Sequence, residues 1–463
     1  MLKTFANAWK IEELRKKLLF TLLIILVYRV GANITVPFID AARISSSLGG
    51  SGTMLGFFNT LSGGAFANAT LFALGVSPYI TASIVIQLLT VAFPKIAPQN
   101  EEGKRRITSY TRYATIILSL VTSIGYYLLM RNTYSAIVKG FEGFYFAVVI
   151  VACYCAGSAL VMWLAEKIND HGIGNGISII LFANIISRTP AVIGQLVSIF
   201  QIDLIKKGSS TYIFTPHNTL VRVWGMGGVW RSLPFTLLAV AGMLALIWFV
   251  IHISESERRI SIKYAKKVSG KKMYGGQSTH LPLKLNMTGV MPIIFANAIV
   301  TLPATIAMFA NPKPNTFWES FVKFFSQTSW FYAFLTFVLI LAFAYFYVAI
   351  SFNPVEVAQT IQKNGGTVLG LRPGKETSAY IKKVLSRITL LGALALSVIS
   401  VVPMIVYLVL NIVAGYYPFF YSCMISDLAF GGSSIIIVVG VILETARELE
   451  SEMTMRHRKG FLE

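Results

Sequence analysis

Apolar residues run through this chain in blocks of the length a bilayer requires, roughly 20 residues per spanning helix. Windows nearly free of Asp, Glu, Lys and Arg fall at about 18–38, 75–93, 113–130, 144–165, 177–200, 233–253, 286–309, 331–352, 388–410 and 431–446. They predict ten spanning helices with both termini on one side of the membrane. The first block continues through Arg29 to Val36-Pro37 without a small-residue cleavage site. That pattern indicates a retained span and not a cleaved signal peptide. The stretch from Arg43 to Lys95 carries no charge between its ends, yet Gly49, Gly50, Gly52, Gly56, Gly63 and Gly64 interrupt its first half. Irregular backbone at membrane depth survives only inside protein or beside a water-filled cavity. A short re-entrant segment is therefore expected over 55–74, with the second span starting at Gly75. The competing expectation there is a partly ordered external loop.

Composition supports this reading. The 463 residues are 55% hydrophobic and 13% charged, where a soluble protein carries about 25% charged residues. Mean hydropathy is +0.66. These values exclude a disordered chain, a coiled coil and an ordinary cytosolic enzyme. Net charge is +20. On the ten-span layout, 29 of the 40 Lys and Arg fall on the side of the N-terminus and nine on the other; Arg29 and Arg188 lie within spans. The positive-inside rule then places both termini in the cytoplasm, for a multi-pass protein of the cell membrane. Three cysteines exclude a disulfide scaffold, and Cys153 and Cys155 read as small packing residues.

Two expected cytoplasmic loops carry most of the charge. Loop 254–285 holds eight cations, among them Lys271 and Lys272; loop 353–387 holds six and contains Gly370-Leu371-Arg372-Pro373-Gly374. Two readings stand equal here: topology with attraction to anionic membrane lipids, or a docking surface for a large acidic partner such as ribosomal RNA. The mixed residues Tyr264, Tyr274, Ser278, Thr279 and His280 favour a folded loop over a bare basic tether. Gly374-Lys375-Glu376 lacks the rest of a phosphate-binding loop. Gly172-Ile173-Gly174-Asn175-Gly176 follows no strand, so it predicts a tight turn into span five. With no metal-ligand cluster and no nucleophile motif, the chain is expected to be no enzyme and to need no cofactor. Energy must come from a partner or from the membrane potential.

The spans themselves are nearly empty of ionisable groups. Asp and Glu are absent from the first nine windows, and Glu444 sits near the end of the tenth. A coupled transporter usually keeps a carboxylate at mid-membrane, so its absence weighs against a secondary transporter of a small solute. A lipid-handling enzyme or scramblase would need a His/Asp/Glu cluster, and Asp170-His171 is the only adjacent pair. Arg29 and Arg188 read as snorkelling or helix-packing arginines. Span two opens Gly75-Val76-Ser77-Pro78 and span seven Gly289-Val290-Met291-Pro292. Each begins the second helix of five, the mark of an inverted repeat with a path between its halves. Ile80 with Ile84, and Leu181 with Ile185, each share a helix face at i and i+4. Spacing alone favours ordinary packing for these, as for Ile294 and Ile437.

Longer motifs carry a resemblance over nearly the whole chain. They are Ser77-Pro78-Tyr79-Ile80-Thr81-Ala82-Ser83-Ile84 with Gln87-Leu88-Leu89, Glu102-Gly103-Lys104-Arg105-Arg106, Gly172 to Ser178, Gly276 to Lys284, Phe352-Asn353-Pro354, Arg372-Pro373-Gly374 and Gly431-Gly432-Ser433-Ser434. In these the chain resembles the SecY family, channel subunits of the general protein translocase. The resemblance implies an all-α membrane protein of ten transmembrane helices in two pseudo-symmetric inverted halves of five. These are 1–200 and 233–463, joined by the external segment 201–232. It implies a plug at about 61–74, including Ser62, Gly63, Gly64, Ala65 and Phe66. It assigns a pore ring to Ile80, Ile84, Leu181, Ile185, Ile294 and Ile437, and lateral-gate roles to Gln87 and Asn297. Lys271, Lys272 and Arg372 become docking positions for the ribosome and the SecA motor. SecE and SecG subunits, signal peptides and nascent chains are the other implied partners. The external segment 201–232 is long for the family, and Leu181 stands where Ile is common.

Overall fold

The computed structural model describes residues 2–48, 59, 62–93, 101–132, 135–138, 140–141, 143–200, 204–207, 210–214, 220–223, 228–264, 267–269, 272–274, 278–287, 289–303, 306, 324–325, 329–416 and 428–459. A helix occupies each of the ten apolar windows. In chain order they are Glu12–Gly31, Ser77–Ala92, Glu101–Asn132, Phe144–His171, Gly176–Phe200, Gly228–Glu255, Met291–Val300, Trp330–Ser351, Lys375–Tyr416 and Leu428–Lys459, here called spans one to ten. Among the described residues four helices are long and apolar enough to cross a membrane on their own, at Arg105–Asn132, Phe144–His171, Trp330–Lys363 and Lys375–Val409. Spans two and seven are shorter, because each starts only after a turn. Gly75 (φ 54°) and Gly289 (φ 63°) adopt the left-handed conformation that glycine tolerates. Each is followed by a helix with Pro in its first turn, where the missing N–H costs nothing. Span one begins and ends earlier than its window. Glu12 and Glu13 suit the positive end of the helix dipole. Its exit is drawn into pairing with a later segment, through the isolated bridge Thr35–Thr70.

Helix packing repeats between the halves. Spans one and four, two and three, three and four, and four and five pack together; so do six and nine, seven and eight, eight and nine, and nine and ten. The halves meet where span two packs on seven, and five on ten and on six. Matching glycines set matching close approaches. A Cβ on Gly157 of span four would lie 2.0 Å from Leu71 O, and one on Gly392 of span nine 2.2 Å from Leu285 O. Leu71 and Leu285 each precede the left-handed glycine by the same four residues. A Cβ on Gly176, starting span five, would meet Ala165 O at 1.9 Å, and one on Gly432 in span ten would meet Ile399 O at 2.6 Å. The chain is thus an all-α membrane protein of two pseudo-symmetric five-helix halves.

Strands occur outside the helix bundle, a feature the apolar windows do not reveal. β1 (Leu204–Lys207), β2 (Ser210–Phe214) and β3 (Leu220–Val223) form an antiparallel meander in the segment between spans five and six. β4 (Glu257–Tyr264) pairs with β7 (Ser278–Lys284), and β5 (Lys267–Ser269) with β6 (Lys272–Tyr274). β8 (Gly366–Val368) adds to β4 from the other basic loop, with Ile262 opposite Val368. The two loops therefore form one body. Its core is Ile260, Ile262, Leu283, Ala358, Ile361, Val368, Ile381 and Ile388.

Candidate functional site

The site lies where the halves meet. Ile80 and Ile84 project from span two, Leu181 and Ile185 from span five, Ile294 from span seven and Ile437 from span ten. Ile80, Ile84, Leu181, Ile294 and Ile437 are each at most 5% exposed and belong to one hydrophobic cluster, with Ile185 partly buried against it. The repeat accounts for part of this convergence. Ile80 and Ile294 stand at the same distance from their left-handed glycines, and Leu181 and Ile437 at the same distance from Gly176 and Gly432. Beside the cluster lies a cavity of about 240 Å³, whose lining includes Phe66, Ile80, Leu181, Ile294, Asn297 and Ile437. These six aliphatic side chains offer water no hydrogen bond.

Residues 62–69 and 71–76 form turns around the bridge residue Thr70, and Ala65, Phe72 and Val76 belong to the same cluster. Ser62, Ala65 and Phe66 are buried, and Gly63 and Gly64 are half-buried with φ of 67° and 92°. Small side chains let the segment seat deeply, and its polar backbone finds partners there as burial demands. Ser62 Oγ accepts from Phe66 N at 2.9 Å, and Asn59 Oδ1 accepts from Ala67 N at 3.0 Å. Tyr126 of span three donates to Phe66 O, and Val36 N donates to Ala69 O at 3.0 Å. The Phe66 and Tyr126 rings lie 4.4 Å apart.

The two gate positions differ in their surroundings. Gln87 Nε2 donates to Ser83 Oγ on its own helix at 3.1 Å. Asn297 is 4% exposed, and its Oδ1 has no hydrogen-bond partner. No bond joins these two, although their helices pack together. Of the docking positions, Arg372 is exposed at the tip following β8. Glu376 accepts from its N–H at 3.3 Å and Thr377 donates to its carbonyl at 2.8 Å, so both partners fix the backbone and leave the guanidinium outward. Lys272 opens β6 opposite Ser269. Lys271 lies outside the described residues, as do Leu61 and the glycines from Gly49 to Gly56. Where loop 254–285 returns to the bundle, burial first and then the nearby Arg447 guanidinium hold the Lys284 ammonium below its ordinary range, against the pull of Glu257.

Asp170 pairs with Lys167 at 3.9 Å and His171 lies against Phe20. Among the described residues no three His, Cys, Asp or Glu come together as a metal site. Two features escape reading from sequence. Loop pairing through β8 joins strands about a hundred residues apart, and no local pattern announces it. Of the two readings for Arg29, the structure favours helix packing over snorkelling: its guanidinium donates to Ala183 O of span five, a partner that no local pattern names.

The profile of the SecY family matches residues 70–446. This chain belongs to the SecY family. Protein translocase subunit SecY of Streptomyces galbus is 38% identical over the full length of both chains, and that of Bacillus subtilis 37%. Among solved structures, one described as "The structure of a protein conducting channel" superposes with TM-score 0.61 at 15% identity, covering 95% of this chain and 92% of that one. Another, "Sec61 in the Canine ribosome-channel complex from the endoplasmic reticulum", gives 0.58 at 15% identity with the same coverage. At these identities the likeness establishes the SecY fold, and full-length identity to curated relatives establishes the family.

Proposed function

We propose that this chain is the channel-forming subunit of a protein translocase. It moves secretory chains across the cytoplasmic membrane and releases apolar segments sideways into it. The observation that carries this reading is the apolar cluster between the halves, seated under residues 62–74. Aliphatic side chains seal against water and ions but offer no polar group to hold a passing polypeptide. The re-entrant segment adds a second seal, a plug formed by Ser62, Gly63, Gly64, Ala65, Phe66 and the residues that follow. A signal peptide is itself an apolar helix, so it partitions laterally between spans two and seven. Asn297, whose buried Oδ1 has no hydrogen-bond partner, and Gln87, bonded within its own helix, border that route, so no hydrogen bond between these two residues opposes parting the helices.

The sequence carries no complete phosphate-binding loop, and partners supply the drive. The body built by loops 254–285 and 353–387 serves as their platform, with Lys271, Lys272 and Arg372 as contacts for the ribosome and a SecA motor. SecE and SecG are the companion subunits, and the cation-rich loops favour a cytoplasmic position for both termini. Absence of mid-membrane carboxylates disfavours coupled solute transport. The test is reconstitution with the two small subunits and motor ATPase in proteoliposomes. A secretory precursor should become protease-protected only with ATP and an intact signal peptide. Protection indifferent to the signal peptide, or none beside ion-driven uptake of a small solute, would overturn the reading.

A further inference from the structure

Arg29 is the one basic residue in the membrane part of span one. A guanidinium at membrane depth is costly and is kept where partners compensate it. Its Nη2 donates to the backbone carbonyl of Ala183, on the turn of span five between Leu181 and Ile185. Its Nη1 lies 3.1 Å from the point that a Cβ on Gly63 would occupy, and Asn184 O and Ser187 Oγ lie 3.0 Å from the same point. Gly63 also holds a left-handed φ of 67°. A side chain there would meet strain and the guanidinium together. Ser187 Oγ lies 2.8 Å from Asn184 O and 3.4 Å from Gly63 O. Neighbours of Arg29 grip the other end of the same segment. Tyr28 stacks on Phe72 with ring centroids 5.3 Å apart and planes 7° apart. The Phe72 ring fills the space over Gly31, 2.1 Å from where its Cβ would stand.

We infer that Arg29 is the positioning residue of the plug: its guanidinium locks Gly63 against span five, so the plug is held while span five keeps its closed-state place. The inference deepens the channel reading above and rests on 62–74 being a plug. One guanidinium bonds the helix that carries two of the six aliphatic positions and stands in the space a side chain on Gly63 would need. Movement of span five withdraws the Ala183 carbonyl, and the plug loses its fixed point at the same moment. Collar widening and plug release are thereby one event. Lys in place of Arg keeps the charge but loses the fork that reaches two partners at once.

The test uses the reconstituted complex with Cys153, Cys155 and Cys423 replaced by Ala and a single reporter, Ala65→Cys, 2% exposed in the closed channel. A membrane-impermeant maleimide is applied from the external side. Arg29→Ala should raise the labelling rate about tenfold, matching loss of a charged hydrogen bond. Arg29→Lys should fall between it and the parent, and Ser187→Ala should rise about twofold. Gly63→Ala, which adds left-handed strain and crowds Asn184 O and Ser187 Oγ besides the guanidinium, should raise the rate at least as much as Arg29→Ala. Should Arg29→Ala fail to accumulate, the Ser187→Ala and Gly63→Ala rates decide alone. Parental labelling in every variant, while a trapped translocating chain does expose Ala65→Cys, would overturn the role of Arg29 and leave the plug standing. No labelling even with a chain trapped would overturn the plug reading itself.

Discussion

The two five-helix halves pack by the same rules, yet they carry different burdens. Spans two and seven start alike, from Gly75-Val76 and Gly289-Val290, and deliver Ile80 and Ile294 to one hydrophobic cluster. Spans four and nine use Gly157 and Gly392 to admit a leucine carbonyl. The departures are local. The N-terminal half fills its first connection with the segment 62–76, buried on spans one, three and four. The C-terminal half puts its elaboration on the opposite face, where β4, β7 and β8 unite two basic loops. A duplicated frame thus supplies a symmetric seam, and the insertions differ: a buried segment in one half and a strand-built body in the other.

If the frame is shared, equivalent lesions should cost the same. Gly157→Ala and Gly392→Ala each push a methyl into a backbone carbonyl, and each should destabilise the protein by about 2–3 kcal/mol. Gly242, with nothing within 4 Å of its Cβ position, should accept Ala without loss. Thermal unfolding in detergent reads all three. A large loss at Gly157 beside none at Gly392 would break the equivalence.

The collar tests the seam more finely. Ile80→Asn and Ile294→Asn introduce an amide with donors and an acceptor where none stood. Each should favour the open state by about 1–2 kcal/mol, a five- to thirtyfold population shift. Both should allow export of precursors with defective signal peptides, and Ile437→Asn should join them. Relaxed selectivity from one half alone would show the collar to be lopsided.

Much of this comparison is legible in the chain. Ten apolar windows mark ten helices, because membrane depth forces long uncharged runs. The repeated Gly-Val-X-Pro start marks the two halves. Helix ends are less legible, since they depend on distant partners: span one stops at Gly31 where Thr35 turns to pair with Thr70. The site is legible only through family motifs, because aliphatic residues at i and i+4 look alike in a pore and in a core. The β8 pairing and the reach of Arg29 are tertiary facts without a local signature.

At the exposed tip after β8, Arg372→Glu should lower partner-driven translocation about tenfold at physiological salt, with channel insertion unchanged. Salt-dependent binding of ribosomes or motor to membranes measures it, since charge contacts weaken as ions screen them. The smallest effect concerns the ion pair Lys17–Glu452, 2.6 Å apart and partly exposed, which ties span one to span ten. Lys17→Met should cost about 0.5 kcal/mol, seen as a small fall in unfolding temperature that high salt abolishes.

The central claim is that an apolar collar and a plug seal a passive conduit for polypeptide. Ion conductance of the purified complex in planar bilayers tests it most directly. The intact channel should be electrically silent, and removal of residues 62–70 should produce frequent ion-conducting openings while export continues. Conductance left unchanged by that deletion, with the complex correctly assembled, would contradict the account.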